Sequence, residues 1–270
     1  MRARQRIVAA LLVGFAAAPA LAVTIAEEGS TSLRVVLAAG ASPAERTAAQ
    51  ELVSYLELVT SASFRLVPEA RVEDDAPAIW VGPTRKAGSL GIDAERLGPE
   101  EWKIRTAGEH LVLVGGRPRG TLYAVYHLLE DHVGVRWWTP WDEHVPARPD
   151  LEIEVDAAGR PAFAYRDIHG VAGPSVFHAR NRANGHYSFL SVAHGGREAY
   201  GPPFTVHTFF MYAPPDSLFD EHPEFFSERD GARVGKRTQL CLTNERLQEL
   251  VVARLEQYIE EAREQADRKG

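Results

Sequence analysis

Two carboxylates set on either side of a glycosidic bond can cleave it, one donating a proton to the leaving oxygen and the other staying ionised. Two residues invite that reading: Asp167, near the end of a candidate strand, and Glu224 in His222-Pro223-Glu224. Neither sits in an identifying spacing, and for Glu224 a turn or helix-start acid is the plainer reading. Asp167 and His169 alternate with Phe163 and Tyr165, so in an extended chain all four share one face. Around them, Arg166, Asn181, Arg182, Asn184, His207 and Asn244 carry groups suited to hydrogen-bonding hydroxyls. An arginine would also suit a carboxylate ligand through two-pronged pairing. Asn244 has an equally good structural use as a helix N-cap.

Trp137, Trp138 and Trp141 lie within Arg136–Glu143. Flat indole faces stack on sugar rings, but large aromatics more often fill interfaces. Trp141, beside Asp142 and Glu143, is the expected exception to packing. The Gly115–Gly120 run could cradle a phosphate before a helix, or simply allow a tight turn and close packing. Its spacing is wrong for a dinucleotide loop, and Pro118 removes one amide. His186, His194 and His207 stand in no ligand spacing, so neither a dedicated zinc site nor any cofactor is expected. Cys241 reads as a small buried residue, and no Gly-x-Ser-x-Gly elbow supports a serine hydrolase.

The elements that must position these groups begin with a strand at Ser32–Ala38 and a helix opening at Ser42. Ser42-Pro43-Ala44-Glu45 combines an N-cap serine, a proline at the first helical position and a glutamate able to close a capping box. Ala48, Leu52, Tyr55, Leu56 and Val59 then recur at helical spacing. Strands are predicted at Phe64–Val67, Ala78–Gly82, Trp102–Thr106 and His110–Val114. A second helix is predicted over Thr121–His132, stopping at Gly134, with edge strands at Val135–Trp138 and Leu151–Val155. Residues 23–158 therefore read as a small accessory α/β domain.

After Gly159-Arg160-Pro161 the pattern is a strand at Phe163–Ile168, about 70 residues rich in Gly, Pro, His and Asn, a strand at Gln239–Leu242, and a helix from near Asn244. A loop of that length is uncommon in a compact domain unless functional, and (β/α)8 barrels place binding residues on loops after strands. A closed barrel needs ~250 residues, so residues 159–270 are expected to be the start of a truncated barrel within a longer protein.

Composition narrows the setting. Arg2, Arg4 and Arg6 precede the apolar run Ile7–Ala17, which closes on Ala20-Leu21-Ala22. This is the pattern of a cleavable secretory leader over residues 1–22, and it predicts a secreted or periplasmic protein. The run is too short to span a membrane, which takes ~20 apolar residues. Cleavage leaves 27 basic against 37 acidic side chains, a net charge of −10, which argues against a nucleic-acid partner. The single cysteine excludes an internal disulfide. Oligomeric state is not readable from the sequence.

Three runs resemble the N-terminal α/β domain that precedes the catalytic barrel in α-glucuronidases and β-hexosaminidases. They are Ala48-Ala49-Gln50-Glu51-Leu52 with Tyr55-Leu56, Gly116–Tyr126, and Gly134-Val135-Arg136-Trp137-Trp138. Later runs, Arg180-Asn181-Arg182, His207-Thr208-Phe209, His222–Phe226 and Gln239–Asn244, resemble the bacterial domain of unknown function 4838 proteins, which are glycoside-hydrolase-like. The resemblance implies a glycoside-hydrolase-type protein, and together with the leader it predicts an exported one acting on polysaccharide or uronic-acid-containing glycans. It assigns no catalytic acid or base to this chain and implies that the chain alone is inactive. The competing reading is a non-catalytic carbohydrate-binding or surface-interaction module.

Overall fold

The computed structural model describes residues 22–170, 173–198 and 208–267. Residues 1–21, which carry most of the expected leader, and His207 lie outside the described residues. The chain forms two compact units that do not divide at one point. The first gathers residues 22–164, 173–182 and 190–196; the second gathers residues 165–170, 183–189, 197–198 and 208–267. Among the described residues no helix is long and apolar enough to cross a membrane.

The first unit contains strands β1 (Val23–Ala26), β2 (Arg34–Leu37), β3 (Arg65–Pro68), β4 (Ala78–Val81), β5 (Trp102–Ala107), β6 (His110–Gly115), β7 (Arg136–Thr139), β8 (Asp142–His144), β9 (Leu151–Ile153) and β10 (Asp156–Gly159). Its helices are α1 (Pro43–Thr60), α2 (Arg85–Ser89), α3 (Gly120–His127) and α4 (Ser175–Arg180). A mixed six-stranded sheet runs in the order β10-β5-β6-β4-β2-β3. Strands β3, β2, β4 and β6 are parallel, while β5 and β10 are antiparallel to their neighbours. The predicted strand Leu151–Val155 is shorter, as β9, which pairs with β1; β10, which the sequence did not signal, follows it and adds an edge to the main sheet.

Strand β4 is apolar and buried at every position, and β2 and β6 are apolar after their first residues, because both faces of the sheet are covered. Val35, Ile79, Val81, Leu111 and Leu113 point toward α1 and α3. Val36, Trp80, Val112 and Val114 point the other way, under Val72, Ala87 and Ile92. Helix α1 begins as its sequence dictates. The Ser42 hydroxyl accepts from the Glu45 amide at 3.2 Å, and the Glu45 carboxylate accepts from the Ser42 amide at 2.6 Å. It ends at Ser61, in the left-handed conformation, and buries Ala48, Leu52, Tyr55, Leu56 and Val59. Helix α3 is buried all round and runs on as a π-helical stretch, Leu128–Val133, until Gly134 turns the chain at φ 98°.

The glycine-rich turn before α3 is a packing device, and its phosphate-cradle reading is overturned. A Cβ on Gly115 would stand 2.2 Å from the backbone of Gly120, one on Gly116 2.0 Å from the Gly98 carbonyl, and one on Gly120 2.3 Å from the Glu101 carbonyl. The amides of Gly116, Arg119 and Gly120 already donate to the carbonyls of Glu101, Pro99 and Gly116.

In the second unit lie α5 (Phe209–Tyr212), α6 (Pro215–Leu218), the short hairpin β11 (Glu228–Arg229) and β12 (Ala232–Arg233), and α7 (Glu245–Asp267). Ala213, Phe225, Phe226, Leu240 and Leu247 form its core. The two expected barrel strands are not formed. Gln239–Leu242 contributes only one bridge, Phe226 to Leu240. Among the described residues Phe163–Ile168 pairs with no strand, because the backbone of Arg166 is occupied by a loop: its carbonyl accepts from the amides of Asn184 and Gly185.

Two glycine substitutions test the packing account. Gly120→Ala forces backbone apart and is expected to destabilise the chain by more than ~3 kcal/mol. Gly88→Ala in α2 meets nothing within 4 Å and is expected to be neutral or to stabilise by up to ~1 kcal/mol. Urea denaturation of both variants measures the difference.

Candidate functional site

Residues 173–182 return to the first unit through three successive polar side chains. Arg180 grips Glu51 on α1 with two hydrogen bonds, 2.8 and 3.1 Å, and reaches the Glu143 carboxylate at 3.5 Å. Asn181 donates to the carbonyls of Phe177 at 3.0 Å and Trp137 at 3.4 Å. Arg182 pairs with Glu130 and donates to the Arg180 carbonyl at 2.6 Å. Asn181 and Arg182, both read from sequence as sugar contacts, thus spend these polar groups on the chain itself.

Arg180 sits in an aromatic setting. Its guanidinium lies 5.1 Å from the Tyr55 ring centroid and 5.8 Å from that of Trp137. The Trp137 indole N–H donates to the Tyr55 hydroxyl at 2.8 Å, which in turn donates to Glu143 at 2.6 Å. Burial, then the bond to Glu143, pushes the Tyr55 pKa well up. Burial works against the charge on Arg180, but the hydrogen bonds and charge of Glu51 reverse that and hold its pKa raised. The arrangement is a partly buried, two-pronged ion pair, the geometry in which such a pair contributes most. Sequence reasoning missed the pairing: both residues fall in runs that carry the family resemblance, but no spacing joins positions 129 residues apart.

The first unit also holds buried polar groups with no partner among the described residues. The Tyr126 hydroxyl, both ring nitrogens of His178 and Nδ1 of His194 are buried without a hydrogen bond. Burial, followed by the charge of Glu51, raises the Tyr126 pKa, and burial lowers that of His194. No group of His, Cys, Asp or Glu among the described residues could hold a metal ion.

In the second unit Asp167 organises a loop and is not an uncommitted acid. Its carboxylate accepts from the Tyr165 hydroxyl at 2.8 Å, and from the amides of Ile168 and Tyr187, each at 3.1 Å. Gly185 packs so closely that a Cβ there would stand 2.5 Å from Asp167. Asn184, fully buried, accepts from the Arg166 amide at 2.9 Å. His169 is exposed, edge-on to Tyr187 at 4.7 Å. Asn244 caps α7 by accepting from the Leu247 amide at 3.1 Å. Glu224, partly exposed, is held low by its own backbone amide and by His222.

The three tryptophans separate. Trp137 is 5% exposed, Trp138 is 62% and Trp141 is 82%. The packing reading holds for the first, and Trp141 is exposed as expected.

Removing hydroxyls tests this polar core. Tyr126→Phe deletes an unpartnered buried group and is expected to be neutral or to stabilise by about 1 kcal/mol. Tyr55→Phe strips partners from Trp137 and Glu143 and is expected to cost about 1–2 kcal/mol. Because a tyrosine with a raised folded pKa loses its stabilising effect as pH climbs above ~10, Tyr55→Phe should also flatten the alkaline fall in stability. Thermal melts from pH 7 to 11 check both.

Comparison with known proteins places these features in context. Residues 137–267 match the domain of unknown function DUF4838. No curated protein matches the sequence. Among solved structures, a family GH115 4-O-methyl-α-glucuronidase, BtGH115A, with specificity for decorated arabinogalactans, superposes with a TM-score of 0.50 at 13% identity. The match covers 87% of this chain and 40% of that enzyme, so the chain spans less than half the length of its structural neighbour.

Proposed function

With residues 137–267 identified as a DUF4838 region, we propose that the chain is the front part of an exported glycoside hydrolase acting on uronic-acid-containing glycans. The observation that supports it is the fold shared with a glucuronidase over 87% of the chain. In this reading the first unit is the accessory α/β domain and the second belongs to the start of the catalytic region. Asp167, Asn181, Arg182, Asn184 and Asn244 serve by fixing backbone, through the bonds described above. Arg166, His169, His207 and Trp141 are the residues proposed to meet sugar. The reading assigns the chain no acid-base pair, since Glu51 and Glu143 are both drawn onto Arg180. Export rests on the leader-like residues 1–22.

The test is a thermal melt of the full chain with an oligosaccharide carrying one glucuronic acid, against its neutral counterpart of equal length. At a ligand concentration about 100 times Kd, binding stabilises by ~2.7 kcal/mol, a rise of several degrees for a chain of this size. The acidic sugar is expected to raise the midpoint more than the neutral one, with no release of glucuronic acid. The same rise with both sugars contradicts the uronic-acid preference; no rise with either contradicts the reading.

A further inference from the structure

We infer that the outward side of the β7–β8 hairpin is a glycan-stacking platform built on Trp138 and Trp141. This deepens the carbohydrate reading by naming where a sugar touches the first unit. Alternation along β7 sends Trp137 into the core and Trp138 out, and Trp141 projects from the turn that follows. The imidazole of His144 stacks against Trp138, with centroids 6.0 Å apart and planes 22° from parallel.

The platform is held from behind. Glu143, directly opposite Trp137 in the hairpin register, accepts from the Tyr55 hydroxyl and pairs with Arg180. Asn181 donates to the Trp137 carbonyl. The Trp141 amide donates to the Thr139 hydroxyl at 3.2 Å, and Gly173 lies so near Pro140 that a Cβ there would come within 2.6 Å of its ring. Indoles on a frame fixed before binding lose little freedom when a ligand arrives.

Size and rim chemistry select the occupant. Two indoles bury ~150–250 Å² each, well short of the ~800 Å² per partner that a stable protein interface needs. One or two pyranose rings match that area. Their C–H faces suit the negative face of an indole, and their hydroxyls require donors and acceptors at the edge. Arg136, Asp142 and His144, all exposed on the same hairpin, supply both.

Affinity electrophoresis of the full chain through gels containing arabinogalactan, glucuronoxylan or polygalacturonate tests the inference. The wild-type chain is expected to be retarded in at least one gel. Trp138→Ala and Trp141→Ala should each weaken binding about tenfold or more, and Trp141→Phe should fall between. Melting temperatures should stay unchanged, because both side chains are exposed. Equal retardation of the wild type and both alanine variants, or no retardation of the wild type in any gel, overturns the platform. So does a variant that shifts oligomeric state on size exclusion without altering retardation, since that marks a protein interface. If the platform falls while the glucuronic-acid sugar still raises the melting temperature, the functional reading survives without it.

Discussion

The grip of Arg180 on Glu51 organises the first unit around its least regular part. Without it, residues 173–182 would lose their ion pair to α1, the Tyr55–Trp137 pair would lose the cation above it, and Glu143 would lose one of its two partners. Surface ion pairs contribute ~0–1 kcal/mol, but here the side chains are only 20% and 17% exposed and the bond is two-pronged. Removing either partner would strand a largely desolvated charge, which costs far more than losing an exposed pair. The hairpin that displays Trp138 and Trp141 inherits its position from this arrangement.

Much of the first unit was legible because its local signals agree with its tertiary fate. Ser42-Pro43-Ala44-Glu45 forms the capping box it spells, and the strands rich in Val, Ile and Leu form a sheet covered on both faces. What stayed hidden depended on partners distant in sequence. Arg180 and Glu51 are 129 residues apart, and no spacing rule joins them. The π-helical stretch after α3 looks like ordinary helix to any argument based on a 3.6-residue period.

The strand expected at Phe163–Ile168 was misread for a physical reason. Phe163–Ile168 alternates as a strand should, but alternation shows only that a segment has two faces, not that another strand lies beside it. Asp167 and Asn184 hold the segment against a loop, so the backbone groups a sheet would use are already engaged. The same finding recasts the polar candidates. Asp167, Asn181, Arg182, Asn184 and Asn244 attracted notice as hydrogen-bonding groups, and each makes hydrogen bonds to its own chain. Of the three clustered tryptophans, Trp141 was separable in advance because a turn proline and two acids flank it.

The central claim, that Arg180 and Glu51 act as one unit on which the rest is hung, is tested most directly by a double-mutant cycle with Arg180→Ala and Glu51→Ala, read by urea denaturation. The account predicts a coupling energy of about 1.5–3 kcal/mol, the range for hydrogen bonds to charged groups. Additivity of the two substitutions to within ~0.5 kcal/mol would contradict it.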